Sequence, residues 1–270
     1  MVLCTQKVTQ PSLKIPKASE VRTKPIDGSW DKLPQVLLDQ IQNPSIAIGI
    51  DVETHGWLED SSRKGHIGQF GFYTMSDDAS LKFARIVQIA WVTGKCKNDS
   101  QTASKCYLVK PSNFQIESKA TKFHGISHEI ASDQGRDLKD VLREFMKDVS
   151  DAVDGDGIVV AHQIEFDAGV IYHELGRCGY TDLQSKWADI ARRGFCTMSP
   201  SIGRWLLKSS GEDVGPITAQ HTLGLSKVAR MIIPKRQHTK PHDAECDANM
   251  SRWIFLAILE QARLQRVSGQ

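Results

Sequence analysis

Two acids two residues apart, Asp51 and Glu53, stand at the end of the apolar run Ser45-Ile46-Ala47-Ile48-Gly49-Ile50. Such a run reads as a strand buried on both faces. Side chains alternate along a strand, so both acids share one face and Ile50 and Val52 the other. Burying two unpaired carboxylates costs several kcal/mol each, roughly. The bland solutions are an Arg or Lys partner, or a strand that has reached the surface. The chemical solution is a metal ion. On this stretch alone the readings stand level.

Three more residues extend the pattern. A helix over about 165–178 has the apolar stripe Val170, Ile171 and Leu175, and Asp167 sits at its N-terminal end on the same face. A first-turn aspartate is favoured by the helix dipole by about 0.3–1 kcal/mol, and capping is its ordinary role. A last helix over about 243–265 turns Met250, Ile254 and Ile258 inward, and Asp247 precedes that stripe by one turn. Asp243 suits the cap. His242, after Pro241, precedes the helix and is free to swing toward the site that Asp247 faces. A histidine beside an inward acid is a candidate general base. Four acids from one strand and two helices repel one another unless a cation joins them. Mg²⁺ or Mn²⁺ takes oxygen ligands and keeps positions for water and phosphate. Two such ions serve in-line phosphoryl displacement.

The elements that must position these groups follow from the pattern between them. Leu33, Val36, Leu37 and Ile41 suit a short helix over Trp30 to Gln42. Strand-like runs at Ala84–Val92 and Lys105–Val109 form a hairpin beside the acidic strand. Lys122 to Ser127 reads as a loop before a helix, and Leu138, Val141, Leu142, Phe145 and Val149 mark a further helix. Ile158–Ala161 is a short buried strand, Gly194–Met198 another, and helices are expected at Pro200–Lys208 and 222–232. Hairpin strands followed by alternating strands and helices indicate a mixed α/β sheet. Residues 1–44 are expected to be a mobile basic arm and short helix, and 45–265 the main domain, with a long insertion at 56–82.

Composition narrows the setting. The chain has 34 Lys+Arg against 32 Asp+Glu, formally +2, which neither demands nor excludes nucleic acid. Ten of the basic residues fall in 186–240 against three acids there, Asp189, Glu212 and Asp213. That tract is either a solvated surface or a phosphate track. The six cysteines form no C-x-x-C pair, which disfavours a zinc ribbon and suits reduced thiols in an intracellular, cytoplasmic or nuclear compartment. Organelle targeting by the arm is a weaker reading, since the arm is Arg-poor. No run approaches the roughly 20 apolar residues of a membrane span, so no membrane partner is expected.

Asp51-Val52-Glu53-Thr54, then Val160-Ala161-His162-Gln163-Ile164-Glu165-Phe166-Asp167, then Pro241-His242-Asp243-Ala244-Glu245-Cys246-Asp247 resembles, in order, the three motifs of the DEDDh 3′→5′ exonucleases. The resemblance runs from about residue 45 to 262. It implies a ribonuclease H-like α/β fold, a mixed five-stranded sheet flanked by helices. It implies metal-dependent release of nucleoside 5′-monophosphates from single-stranded RNA or DNA 3′ ends, with RNA favoured. Asp51, Glu53, Asp167 and Asp247 would bind two Mg²⁺ or Mn²⁺ ions, and His242 would be the base. Thr54, His55, His124, Gly125, Ile126 and Phe166 would border the terminal nucleotide, with Phe166 alternatively a packing residue. A non-catalytic nucleic-acid adaptor on the same fold and a ribonuclease H-type endonuclease are the alternatives. The chain departs from the family pattern at Gln163, where many members carry Asn, and at Cys196-Thr197, where many carry Asp-Thr. The 56–82 insertion is a candidate surface for a protein partner, and a homodimer is compatible with the reading.

Overall fold

The computed structural model describes residues 31–41, 43–56, 84–97, 103–233 and 242–268. Most of the insertion, the first thirty residues and Lys235, Arg236 and Lys240 of the basic tract lie outside the described residues. Five strands form one sheet: β1 (Ile46–Thr54), β2 (Ile86–Lys95), β3 (Ala103–Leu108), β4 (Gly157–Ala161) and β5 (Phe195–Cys196), in the order β3-β2-β1-β4-β5. The β1–β2 and β2–β3 pairs are antiparallel, and the β1–β4 and β4–β5 pairs are parallel. The expected mixed five-stranded α/β sheet is therefore present, with the acidic strand at its centre. A central strand is covered on both faces, which is why its apolar half is nearly continuous.

Nine helices are described: α1 (Gln35–Gln40), α2 (Ser118–His124), α3 (His128–Gln134), α4 (Leu138–Asp154), α5 (Ile164–Arg177), α6 (Thr181–Ala191), α7 (Pro200–Ser209), α8 (Leu225–Ile232) and α9 (Ala244–Ser268). Their local causes are ordinary. Asp137 caps α4 through Lys139 N–H at 2.8 Å, Ser127 caps α3, and Ser199 caps α7 ahead of Pro200. One face of β1 gives Ile48, Ile50 and Val52 to a core shared with α4, α5 and α6. The other face gives Ala47 to a core with α1, α7, α8 and α9.

The short helix expected within Trp30 to Gln42 is present as α1 and packs on the second core, whereas the expectations around α2 and α6 need correction. Leu33, Leu37 and Ile41 are buried in the second core, Arg266 donates to the carbonyls of Leu38 and Ile41, and Trp205 Nε1 donates to Asp31 O. The segment before Ser127 is a helix, α2, ending at Gly125 with φ +78°. Its only buried side chains are Ala120 and His124, so no apolar stripe announced it. The helix α6 was also missed, although Leu183 and Trp187 are spaced four apart.

Candidate active site

Three segments converge at the C-terminal end of β1. That strand supplies Asp51 and Glu53, the first turn of α5 supplies Asp167, and the first turn of α9 supplies Asp247. The close approach of α9 depends on Gly49. A Cβ there would lie 2.1 Å from Ala248 O and 2.9 Å from Arg252 Cβ. Only glycine lets the helix backbone sit against the strand at this point, and Asp247 is the residue before Ala248. Small residues continue the contact, with Ala90 and Val92 of β2 packed on Ala244 and Ala248. The start of α9 is pinned by Gln88 Oε1, which accepts Ala244 N–H at 3.1 Å, and by Asp243, whose carboxylate accepts Cys246 N–H at 3.2 Å. Gly49 and Gln88 thus build the site from outside the three motifs. An isolated glycine in an Ile-rich strand was the available signal.

His242 has φ +61°, the left-handed region that a non-glycine residue occupies at a cost. Its N–H donates to Asp247 Oδ2 at 3.0 Å, which holds the turn. A ring nitrogen of His242 and carboxylate oxygens of Glu53 and Asp247 all lie within 4.8 Å of one another. The imidazole also meets the ring of Phe123 edge to face, at 5.8 Å between centroids. On α5, Asp167 is buried against the acidic strand, where the Val52 backbone N–H favours its charged form.

The electrostatics of the four acids are one-sided. Burial pushes Asp51 well above the usual carboxylate range, and Asp167, Asp247, Glu53 and Asp243 push it further. Burial and then Asp247 and Asp243 raise Glu53 to about 8. Asp167 is likewise raised well above its ordinary value by burial, against the Val52 hydrogen bond. Asp247 is raised to about 6 by burial, with His242 opposing. Among the described residues no Lys or Arg is a main influence on any of the four. All four are oxygen donors, which is the donor set that hard divalent cations take.

The remaining expected contacts are placed unevenly. Thr54 Oγ1 donates to Gly56 O, and its carbonyl accepts from His124 Nε2 at 3.1 Å. His124 Nδ1 accepts Ile126 N–H at 3.0 Å, so both ring nitrogens are occupied. His124 is buried and ties α2 to the end of β1 rather than presenting a free ring. Ile126 is withdrawn into a small core with Val87, Ile116, Ala120 and Ala131. Phe166 packs against the main core, the alternative already open for it. A Cβ on Gly125 would meet nothing within 4 Å, so the turn is open there. His55 Nδ1 accepts Arg85 N–H at 3.0 Å, and burial lowers its pKa. At the Cys196-Thr197 departure, Thr197 is fully buried with its hydroxyl 2.9 Å from His162 Nδ1, which ties β5 to the start of the second motif.

Among the described residues of the basic tract, five of the seven cations have partners. Lys186, Arg192 and Lys208 pair with Asp154, Asp189 and Asp31, and Arg193 and Arg204 donate to backbone carbonyls. Lys227 and Arg230 are exposed on α8.

A family model for exonucleases of the RNase T type matches residues 48–255. No curated protein sequence matches the chain significantly. Among solved structures, E. coli exonuclease I in complex with a dT13 oligonucleotide aligns with a TM-score of 0.53 at 16% identity, over 83% of this chain and 43% of that one. The zinc-bound complex of E. coli exonuclease I with single-stranded DNA gives 0.52 at 17%, over 84% and 42%. Exonuclease I from Methylocaldum szegediense gives 0.50 at 17%, over 80% and 40%. The chain spans less than half the length of these proteins, and the likeness is one of fold.

Proposed function

The chain belongs to the RNase T family of exonucleases, and on that premise we propose that it is a divalent-metal-dependent enzyme that shortens single-stranded nucleic acid from its 3′ end and releases nucleoside 5′-monophosphates. The observation that carries the reading is the set of four converging carboxylates, with a His242 ring nitrogen within 4.8 Å of Glu53 and Asp247 oxygens.

Asp51, Glu53, Asp167 and Asp247 would hold Mg²⁺ or Mn²⁺, two ions in this reading. When bound, the metal lowers the pKa of a coordinated water and neutralises charge on the phosphate. The chain's own residues do the rest. His242 accepts the proton of the attacking water at a ring nitrogen, with its backbone fixed by Asp247 and its ring lodged against Phe123. Asp167, in the first turn of α5, brings that helix's carboxylate to the acidic strand. Gly49 sets the depth of α9 and therefore of Asp247. Thr54 and His55, which continue β1, border the terminal nucleotide.

The oligonucleotide complexes of exonuclease I are consistent with a single strand as substrate here. Single- and double-stranded RNA and DNA, labelled at the 5′ end and incubated with Mg²⁺ or Mn²⁺, test the reading. Stepwise shortening of single strands from the 3′ end is expected, RNA ahead of DNA. A ladder of internal cuts would instead indicate an endonuclease. Folded protein that releases no mononucleotide from any of the four would overturn the proposal.

A further inference from the structure

The inward face of helix α5 carries two buried carboxylates seven residues apart. Asp167 stands against β1, where the Val52 backbone N–H favours its charged form. Two turns on, and so on the same face of the helix, Glu174 accepts Ile86 N–H on the neighbouring strand β2 at 3.1 Å. Glu174 is fully buried. Its Oε1 also takes the Arg85 Nε–H at 2.8 Å, and its Oε2 lies 3.3 Å from Arg177 Nη1.

Arg85 extends this contact. Its guanidinium lies over the Phe114 ring at 4.7 Å, and Phe114 meets His55 edge to face at 5.1 Å. His55 N–H donates to Arg85 O at 2.9 Å, and Arg85 N–H returns to His55 Nδ1 at 3.0 Å. His55 directly follows the metal strand. Arg85 stands where the chain returns from the insertion.

Core packing holds α5 against the sheet, and the directional hydrogen bond at Glu174, two turns from Asp167, sets how the helix is turned about its axis. A metal site tolerates displacements of only about 0.5 Å in its ligands, so this setting matters. We propose that Glu174 is a positioning residue of the exonuclease site: by fixing α5 on the start of β2 it sets where Asp167 stands against Asp51 and Glu53, and it ties that setting to both feet of the insertion. The proposal rests on the metal-site reading above.

The test uses the full chain and compares Glu174→Ala and Glu174→Gln with Leu175→Ala, a core truncation on the same helix. Mn²⁺ affinity, kcat, KM for a single-stranded oligonucleotide and Tm are measured for each. Glu174→Ala is expected to lower kcat and Mn²⁺ affinity about 10–100-fold while KM moves less than about threefold. Leu175→Ala is expected to lower Tm and keep kcat within about threefold at a temperature where it is folded. Glu174→Gln keeps an oxygen for Ile86 N–H and should recover most of kcat. Wild-type kcat and Mn²⁺ affinity in Glu174→Ala would overturn the proposal. So would an equal kcat loss in Leu175→Ala, or a Glu174→Gln protein no better than Glu174→Ala. Should Glu174→Ala fail to fold, Glu174→Asp keeps the charge but shortens the reach by one methylene. Wild-type kcat and Mn²⁺ affinity in that variant would overturn the idea equally. A wild-type protein that neither binds Mn²⁺ nor cleaves marks a failure of the functional reading itself.

Discussion

Both ends of the inward face of α5 carry buried charge, and the two ends are balanced differently. At the C-terminal end, Glu174 is flanked by Arg85 and Arg177 and also accepts a strand N–H. At the N-terminal end, Asp167 joins Asp51, Glu53 and Asp247, and the charges acting on these acids are mostly each other's. One cluster is paired with guanidinium groups. At the other, no Lys or Arg among the described residues is a main influence on the acids. The same carboxylate chemistry thus serves structure where a guanidinium is at hand and suits a metal site where the described residues bring only acids and a histidine. The contrast separates the two uses better than burial does, because Glu174 is the more deeply buried of the pair.

Substitutions should break the contrast in opposite directions. Asp51→Asn removes one member of the unbalanced cluster. It should lower kcat by about three orders of magnitude or more, since a bound metal supplies several kcal/mol of transition-state stabilisation. In chelator, however, the same variant should be more stable than wild type by about 1–3 kcal/mol, because the cost of burying an ionisable group among other acids is gone. Paired nuclease assays and denaturant melts in EDTA check both halves. A variant that lost activity and stability together would put Asp51 in the structural class.

His242→Ala sharpens the chemistry within the unbalanced cluster. Losing a positioned base should cost about 10²–10⁴ in kcat. Mn²⁺ binding by calorimetry should change far less than it does in Asp51→Asn. Arg85→Ala attacks the balanced cluster instead. Removing one partner of a buried pair should destabilise the fold by about 3 kcal/mol in urea melts, with or without metal.

The pH dependence sharpens the unbalanced cluster without any substitution. Glu53 rises from 4.5 to about 8 and Asp247 from 3.8 to about 6 on folding. The folded chain therefore keeps protons that the unfolded chain has already released. Without metal, the contribution of these groups to stability is best at or below about pH 4 and falls as pH rises toward about 8. Divalent cations substitute for those protons. The gain in Tm from Mg²⁺ over EDTA should therefore grow between about pH 5 and pH 8. A gain that shrank with pH would contradict the assignment of Glu53 and Asp247 to the site.

The amino-acid sequence by itself determined the central strand, the two helices that carry Asp167 and Asp247, and the order of the mixed sheet's main parts. These rest on local signals: an apolar run, stripes at helical spacing, and acids at stripe ends. It also singled out the five residues that the fold brings to one end of β1. The tertiary structure decided how near they come and which neighbours they keep. Gly49 is legible as a glycine in a strand, but its reason is the Ala248 carbonyl, about 200 residues away in sequence. His124 and Ile126 looked like substrate contacts, yet one is tied to Thr54 O and the other lies in a core whose partners come from four different segments. Glu174 looked like an ordinary polar residue on a helix. Its role depends on Arg85 and Ile86, which reach it only because β2 lies beside β1. Spacing along the chain reports which side chains share a face, and only packing reports what that face meets.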